Sequence, residues 1–147
     1  MDIGSGTKYP ASSLSNFSPH AFVIDGVECA SMEGFLQSLK FKNPEMQIYV
    51  CTLVGKKAKF KGKKKKWWRT QTLYWQGKEI DRHSDEYQKL LWKAYSSLSE
   101  NESFKKALLA TGKAVFQHSM GKNDPHRTVL TESEFCGILT KLRKKFK

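Results

Sequence analysis

The feature that most restricts the fold is a set of segments in the second half of the chain that repeat apolar side chains at helical spacing. Residues 85–98 and 102–110 each carry one apolar face, and a third segment begins at Thr131, whose hydroxyl is predicted to form a capping box with Glu134. Gly112 follows the second segment, and glycine is common where a helix ends. Because each apolar stripe must be covered, the pattern predicts helices packed around one shared core.

The first half of the chain predicts a small amount of β-structure together with further helix. Residues 21–29 alternate around an Asp-Gly pair, which is the pattern of a short β-hairpin. Ser31 is an N-cap candidate for a helix that continues to Phe41, and residues 44–54 predict a second helix. Residues 73–80 fit either an extended segment or a loop.

The length of 147 residues suits one compact core. We therefore predict a single, mostly helical α+β domain at residues 14–147, with a small N-terminal β-hairpin. Residues 1–13 are rich in glycine, serine and proline and predict a flexible lead-in. Residues 56–66 are a low-complexity, lysine-rich segment, and we expect regular structure to stop at Gly55.

The chain is strongly basic, with a formal net charge of +12 from 26 lysine and arginine residues. One cluster extends over residues 56–69, and this charge attracts a polyanion or a phosphorylated ligand. Aromatic residues adjoin the cations of this cluster, a mixture that suits stacking on bases beside contacts to phosphates. The predicted nucleic-acid contacts are Lys63, Lys64, Lys65, Trp67 and Arg69. A solvated loop that only keeps the protein soluble explains the pattern equally well.

The cysteines and the hydropathy of the chain argue against several other classes of protein. Cys29, Cys51 and Cys136 are scattered, odd in number and without zinc spacing, so we expect reduced structural cysteines and no metal site. No apolar run is long enough for a membrane span, and the N-terminus lacks the pattern of a secretory signal. The sequence therefore predicts a cytoplasmic protein with no membrane partner, and it indicates no oligomeric state.

One face of the first predicted helix carries polar groups that suit catalysis. Glu33, Gln37 and Lys40 are spaced so that, at about 3.6 residues per turn, they share one side of the helix. The apolar residues of the same helix lie on a different side. An ordinary solvated face explains this pattern too, and on spacing alone it is the better interpretation.

Four blocks of the sequence resemble, in order, the NADAR (YbiA-like) domain family. Residues 14–17 read LSNF, similar to the signature that opens the domains of that family, and residues 30–41 resemble its helix with the pattern S-x-E-x-x-x-Q-x-x-K-F. Residues 107–112 resemble its LLATG block, and residues 117–124 resemble the segment before its last helix. The ordered combination of blocks is more specific than any one of them.

The resemblance implies a YbiA-like fold and an N-glycosidase that cleaves the bond between a ribose anomeric carbon and a nitrogen. Two substrates are associated with the family: ADP-ribose attached to guanine in nucleic acid, and phosphoribosylamino pyrimidine intermediates of riboflavin synthesis. The cationic segment favours the first, which makes DNA or RNA the expected partner. The second substrate, and a non-catalytic module that binds ADP-ribose or nucleic acid, stay open as alternatives. No nucleotide-cofactor loop is present, so we expect hydrolysis by water without a cofactor.

The chemistry of this reaction suggests roles for three matching residues. Loss of the nitrogen leaves positive charge on the anomeric carbon, which a carboxylate such as Glu33 stabilises, and its acid form protonates the leaving base. A lysine whose pKa is lowered by its pocket traps ring-opened ribose as a Schiff base, and Lys40 matches the lysine of the family. A phosphate contact or a surface ion pair is the alternative for Lys40. Asp124 is the candidate for a second carboxylate that orients the sugar, although an Asp-Pro pair also forms turns.

The remaining predicted contacts are to the substrate. They are Asn16, Phe17, Gln37, Trp75, Thr111, Gly112, His118 and Lys122. Asn16 offers an amide donor and acceptor to ribose hydroxyls. Trp75 is the aromatic residue expected to stack on a base, with a core tryptophan as the competing interpretation, and Phe17 fits the core somewhat better than stacking. His118 fits phosphate binding or proton exchange, and a structural role is the alternative.

Two departures from the pattern of the family affect the side of the pocket that would recognise the base. Residues 34–36 read Gly-Phe-Leu where many members carry histidine and tyrosines, and residues 125–128 replace a tryptophan-glycine segment. The resemblance therefore does not imply which base is released. Glu33 and Lys40 are retained.

Overall fold

The computed structural model describes residues 1–147 and contains six α-helices and two antiparallel β-hairpins. In chain order the elements are β1 (Phe22–Ile24), β2 (Val27–Cys29), α1 (Met32–Ser38), α2 (Pro44–Cys51), α3 (Gly55–Lys63), β3 (Thr72–Trp75), β4 (Lys78–Asp81), α4 (Asp85–Leu98), α5 (Glu102–Ala110) and α6 (Glu132–Lys145). Short 3-10 helices occupy Ala11–Leu14 and Trp67–Arg69. None of the helices combines the length and the apolar composition that crossing a membrane requires. The predicted, mostly helical α+β class is confirmed.

The hydrophobic core lies where the apolar faces of α1, α4, α5 and α6 meet. Its buried aromatic side chains include Phe35 of α1, Tyr95 of α4, Phe104 of α5 and Phe135 of α6. The predicted ranges of α4 and α5 are confirmed, and Thr131 and Glu134 form the predicted capping box of α6. Helical periodicity located the core because burial of these faces provides most of the stability of such helices.

The two hairpins are joined by a tryptophan. The first hairpin turns at Asp25 and Gly26, whose positive φ angles of 49° and 78° match a type I′ turn. Residues 72–81 form the second hairpin, which decides between the extended and loop interpretations of that segment. Trp75 Nε1 donates to Asp25 Oδ2 at 2.8 Å, and the Trp75 ring packs edge-on against Phe35. Both hairpins are thereby anchored to α1.

The first residues of the chain, within the lead-in predicted at residues 1–13, pack onto the domain. Ile3 is fully buried, and its amide donates to the carbonyl of Gln117 at 2.8 Å. Asp2 accepts hydrogen bonds from the amide and the hydroxyl of Ser119. The local composition is typical of a loop, but a buried isoleucine and pairing with a distant segment attach this stretch to the core.

The lysine-rich segment is helical, which corrects the expectation that regular structure stops at Gly55. Ala58 and Gly62 of α3 are one turn apart and buried, and Gly62 lies against Gln37 of α1. The lysines of α3 are exposed. Because lysine is a good helix former, two small buried residues are enough to seat this helix on α1. The low-complexity composition concealed a regular element.

Arg82 ties the second hairpin to the start of α6. Its side chain is buried, and its guanidinium donates to the two carboxylate oxygens of Glu134, at 2.7 and 3.1 Å. It also donates to the carbonyl of Thr128 at 2.9 Å. Since Glu134 also closes the capping box, β4 and the first turn of α6 share one anchor.

α1 passes the end of α2 so closely that there is no room for a side chain at Gly34. A Cβ atom at this position would lie 2.6 Å from the carbonyl oxygen of Leu53 and 3.0 Å from that of Val50. Both obstacles are backbone atoms, which no change of rotamer moves. The crossing of the two helices therefore depends on glycine.

Gly34→Ala is expected to destabilise the fold by roughly 1–3 kcal/mol, because the helices must separate to admit a methyl group. Gly137→Ala is the matched control, since Gly137 is an exposed residue of α6 with open space around it. Alanine at that position should stabilise α6 by about 0.5–1 kcal/mol. Chemical denaturation of the two variants measures the difference. A Gly34→Ala variant as stable as the wild type would contradict the close crossing.

Candidate active site

The start of α1 is fixed by hydrogen bonds that position Glu33. Ser31 Oγ accepts from the amide of Gly34 at 3.1 Å as the N-cap, and the same hydroxyl donates to the carbonyl of Leu53. The amide of Glu33 donates to the carbonyl of Asn16 at 3.0 Å. Two other segments therefore hold the first turn of α1, and the Glu33 side chain projects from a defined position.

Gln37 lies one turn after Glu33 and is hydrogen-bonded to it, which agrees with the prediction that the two residues share one face of the helix. Gln37 Nε2 donates to Glu33 Oε1 at 2.9 Å. The Gln37 side chain is 7% exposed, and its Oε1 has no hydrogen-bond partner. Gly62 covers this amide so closely that a Cβ atom at position 62 would lie 1.8 Å from Oε1. Gln37 is therefore positioned to orient the Glu33 carboxyl group.

Lys40 lies just beyond the end of α1, which corrects the prediction of one helix through Phe41. α1 ends at Ser38, and the Lys40 amide donates to the carbonyl of Gln37 within a tight turn. The argument from helical spacing therefore holds for Glu33 and Gln37. Lys40 belongs to the following turn, where the Glu33 charge still acts on it and raises its pKa against the effect of burial.

Burial drives both Glu33 and Lys40 towards their neutral forms. It raises the pKa of the Glu33 carboxyl, although the Gln37 hydrogen bond and nearby positive charges oppose the shift. It lowers the pKa of the Lys40 ammonium to about 8, with the Glu33 charge opposing the shift. Neither side chain takes part in an ion pair. The site thus combines an acid and an amine that are both more easily neutral than usual.

Basic residues gather around this carboxyl group. The charges of Lys40, Lys59 and His118 act on Glu33, and the charge of Lys122 lowers the pKa of Lys40. Lys59 belongs to α3, and the sequence did not place it in the site because this segment lacked a visible helical pattern. The excess of positive charge suits a ligand that carries phosphate groups.

Asn16 is fixed by a tyrosine that the sequence assigned only to the core. Tyr95 of α4 is fully buried, and its hydroxyl donates to Asn16 Oδ1 at 2.7 Å. Burial raises the pKa of Tyr95 well above its usual value, and the Glu33 charge adds to this effect, so the hydroxyl stays protonated. Asn16 Nδ2 is left to donate to a ligand. A tyrosine on the apolar face of a helix needs a partner for its hydroxyl, and this signal points to Tyr95.

His118 is oriented by the N-terminal segment. Its Nδ1 lies 2.8 Å from the carbonyl oxygen of Ile3, and because a carbonyl only accepts, Nδ1 carries a proton. The His118 amide donates to Glu132, and its ring packs edge-on against Phe135. Nε2 is therefore the nitrogen that is left to exchange a proton or bind an anion. The structural role and the predicted role belong to different atoms of one ring.

The two aromatic residues predicted to contact the substrate differ in their placement. Trp75 is buried against Phe35, and its Nε1 is already bonded to Asp25. The core interpretation of Trp75 therefore replaces the stacking one. Phe17 is partly exposed and follows Asn16 directly, so its ring is available to a ligand in the site.

Residues carried over from the later family blocks serve helix ends and turns. Thr111 is buried and accepts a hydrogen bond from Arg143 of α6, and Gly112 ends α5 with a φ of 61°. Asp124 is exposed, and its carboxylate is bonded to His126. None of the three contributes a charge or a hydrogen bond to Glu33. For Asp124, the turn-forming interpretation describes the structure.

Among the predicted nucleic-acid contacts, the lysines are exposed but the tryptophan is not. Residues 63–65 are exposed, whereas Trp67 packs into the core. Its neighbour Trp68 is exposed instead, and the guanidinium of Arg69 lies over the Trp68 ring, 5.6 Å from the centroid. The sequence did not distinguish these adjacent tryptophans, because the short 3-10 helix decides which ring turns inward.

Two open concavities lie elsewhere on the surface. One, of about 400 Å³, is lined by residues of α5, and the other, of about 390 Å³, is lined by polar residues around Arg82 and Glu134. Neither is lined by Glu33 or Lys40. The candidate site is therefore identified by the chemistry of its residues, and neither of these two concavities belongs to it.

Comparisons with known proteins agree with this fold. The family model described as bacteriophage protein GP30.3 matches residues 8–144. The chain belongs to this family. An uncharacterized 17.1 kDa protein from the Gp30-rIII intergenic region of Enterobacteria phage T4 is 36% identical over 151 aligned residues, which cover 97% of this chain and 96% of the phage T4 protein.

Among solved structures, the NMR structure of the E. coli protein YbiA is similar. The TM-score is 0.65, and the alignment covers 99% of this chain and 83% of that one. At 15% sequence identity, the similarity concerns the fold alone. It confirms the YbiA-like fold that the four sequence blocks predicted.

Glu33→Gln is expected to stabilise the folded protein at neutral pH. Because burial raises the pKa of Glu33 in the folded state, ionisation increasingly opposes folding as the pH rises above the unfolded value of about 4.3, and this cost reaches its full value once the pH passes the folded pKa. Glutamine removes this cost and still accepts a hydrogen bond from Gln37. The gain in the free energy of unfolding should be present at pH 7 and vanish below a pH of about 4.

Denaturant unfolding at the two pH values measures this gain. Glu45→Gln is the control, because Glu45 is exposed in the first turn of α2. That substitution should change the stability little at either pH. A gain for Glu33→Gln that is the same at both pH values would contradict the raised pKa.

Proposed function

We propose that this protein is an N-glycosidase that hydrolyses the bond between ribose and nitrogen in ADP-ribose attached to a nucleobase of DNA or RNA, and so reverses ADP-ribosylation. The observation that carries the proposal is the pairing of two groups whose charges act on each other: Glu33, which is hydrogen-bonded to Gln37 and whose pKa burial raises, and Lys40, whose pKa burial lowers to about 8. The NADAR-like sequence blocks suggest the reaction class, and the YbiA-like fold is compatible with it.

Glu33 acts as the general acid. As the bond between C1′ and the base nitrogen breaks, the electron pair leaves with the nitrogen, which takes a proton from Glu33. The raised pKa keeps more of this carboxyl group protonated near neutral pH than in an ordinary glutamate. The resulting carboxylate stabilises positive charge on the ribose. Water then supplies hydroxide to C1′ and returns a proton to Glu33.

Lys40 offers a covalent route to the same products. Its neutral amine attacks C1′, the base leaves with one proton, and the ring oxygen leaves C1′ with another to become the C4′ hydroxyl. The product is an imine between Lys40 and C1′. Water hydrolyses the imine to the aldehyde form of the sugar and regenerates the amine. A pKa of about 8 supports this route because a larger share of the amine is neutral at physiological pH.

The neighbouring residues suit the binding of the rest of the substrate. Gln37 orients Glu33, and Asn16 Nδ2 is available to a ribose hydroxyl. Lys59 and Lys122 add positive charge beside the reacting groups, which suits the pyrophosphate of ADP-ribose. A phosphoribosylamino pyrimidine would use the same cations. The exposed lysines of α3 favour the nucleic acid, because a small metabolite needs only a few of them.

Glu33→Gln should lower the rate of ADP-ribose release by roughly 10²–10⁴-fold, the usual contribution of a general acid. The substrates are an ADP-ribosylated guanine oligonucleotide, a phosphoribosylamino pyrimidine and free NAD, compared side by side, with products measured by mass spectrometry. Glu45→Gln is the control with an equal change of charge and should keep the wild-type rate.

The outcomes separate the alternatives. Fast turnover of the pyrimidine substrate alone would replace the proposal with a metabolite hydrolase. Binding of ADP-ribose without release of any product would indicate a binding module. An unchanged rate for Glu33→Gln would remove this residue from the mechanism.

Borohydride should trap an adduct between the sugar and Lys40 during turnover. The pKa of Lys40 is lowered from the ordinary lysine value of 10.5 to about 8, so the amine becomes neutral at a lower pH. The trapped fraction should therefore rise as the pH increases through 8. Intact-protein mass spectrometry followed by peptide mapping locates the adduct. Lys42→Gln, an exposed neighbour, should still be trapped, and Lys40→Met should not. The absence of any adduct during turnover would leave Glu33-dependent hydrolysis without a Schiff base.

A further inference from the structure

The outer surface of α2, α3 and the following 3-10 helix combines a high density of positive charge with exposed aromatic rings. Nine of the fourteen residues from 56 to 69 are lysine or arginine, and none is acidic. Tyr49, Phe60 and Trp68 are 51%, 56% and 52% exposed. Large aromatic side chains that are half-exposed and surrounded by positive charges contribute little to the core. Their arrangement suggests a ligand that is both aromatic and anionic.

Each of these rings has its own cation. Lys61 Nζ lies 5.6 Å from the centroid of Tyr49, and Lys63 Nζ lies 5.9 Å from that of Phe60. The Arg69 guanidinium is 5.6 Å from the centroid of Trp68. The three pairs come from three consecutive elements of the chain. The surface therefore repeats one unit, an exposed ring beside a cation, and we call Tyr49, Phe60, Trp68 and their cations the α3 platform.

Helical geometry relates the α3 part of this platform to the candidate active site. Ala58 and Gly62 face the interior, and at about 100° per residue Phe60 points to the opposite side of α3. Lys59 and Lys61 lie on the two flanks. The charge of Lys59 acts on Glu33, whereas Lys61 lies over Tyr49 of α2. On α3, Phe60 therefore lies between one lysine whose charge acts on Glu33 and another that pairs with Tyr49.

We infer that the α3 platform binds single-stranded nucleic acid. A single strand exposes bases that stack on aromatic rings, and its phosphates lie beside them, where the paired cations would contact them. In a duplex the bases are stacked on one another, so half-exposed rings on a protein surface gain no partner. The platform deepens the proposed function, because a strand that crosses α3 would present an attached ADP-ribose to Glu33, and that last step rests on the glycosidase proposal.

The binding test uses the full-length protein and an unmodified, fluorescein-labelled DNA oligonucleotide, as a single strand and as the duplex of the same sequence. Fluorescence anisotropy should give a dissociation constant at least about tenfold lower for the single strand, by the usual contribution of base stacking. Phe60→Ala and Trp68→Ala should each weaken this binding by roughly tenfold. Tyr9→Ala is the matched control, an equally exposed ring on the N-terminal segment, and should bind as the wild type does.

Two variants that lose the same number of charges distinguish binding at the platform from a general attraction of nucleic acid to a basic protein. Replacement of Lys57, Lys63 and Lys64 by glutamine removes three exposed charges from α3 and the residue that follows it, and replacement of Lys141, Lys144 and Lys145 removes three exposed charges from α6. The first variant should lower the salt dependence of binding to the single strand by about 0.7 per lost phosphate contact. The second should leave it nearly unchanged. Thermal unfolding verifies that all variants are folded.

Three results would overturn the inference. They are equal affinity for duplex and single strand, unchanged affinity of the aromatic variants, and equal losses from the α3 and α6 lysine variants. The measurement needs no turnover. If the wild-type protein binds the strand but releases no ADP-ribose, the glycosidase proposal is rejected and the platform inference stands. If the protein is an active enzyme with no preference for single strands, the platform inference is rejected and the glycosidase proposal stands.

Discussion

The close packing of α1 against its neighbours is the constraint on which the candidate site depends. Gly34 lets α1 approach the end of α2, and Gly62 lets α3 cover the amide of Gln37. A side chain at position 34 would force the backbones apart, and one at position 62 would displace Gln37, so that Glu33 would lose its hydrogen-bond partner. Two residues without side chains thus create the enclosure around the reactive carboxyl group.

This enclosure affects stability and reactivity in opposite ways. Desolvation disfavours the charged forms of Glu33 and Lys40, which costs free energy of folding at neutral pH. The neutral acid is the form that protonates a leaving base, and the neutral amine is the form that attacks a sugar carbon. Arg82 shows the contrasting solution, because its buried charge is fully paired with Glu134 and leaves no reactive group. The same burial therefore supports structure in one place and chemistry in another.

The sequence predicted the elements that depend on interactions between neighbouring residues and missed those that depend on contacts between distant residues. The ranges of α4 and α5 were predictable because an apolar face and a cap are local patterns. α3 was missed because only two small residues of this helix are buried, and because the composition of the segment gives no sign of its contact with Gln37. The packing of residues 1–13 was missed for a related reason, since Ile3 pairs with a segment more than one hundred residues away.

By itself the sequence determined the α+β class, the YbiA-like fold and the alignment of Glu33 with Gln37, because periodicity, caps and ordered motifs are properties of neighbouring residues. Only the tertiary structure decided that Tyr95 orients Asn16, that Ile3 orients His118 and that Trp75 belongs to the core. It also decided which of two adjacent tryptophans is exposed. These outcomes depend on contacts between residues far apart in the chain, and on the burial that shifts a pKa, which no local pattern records.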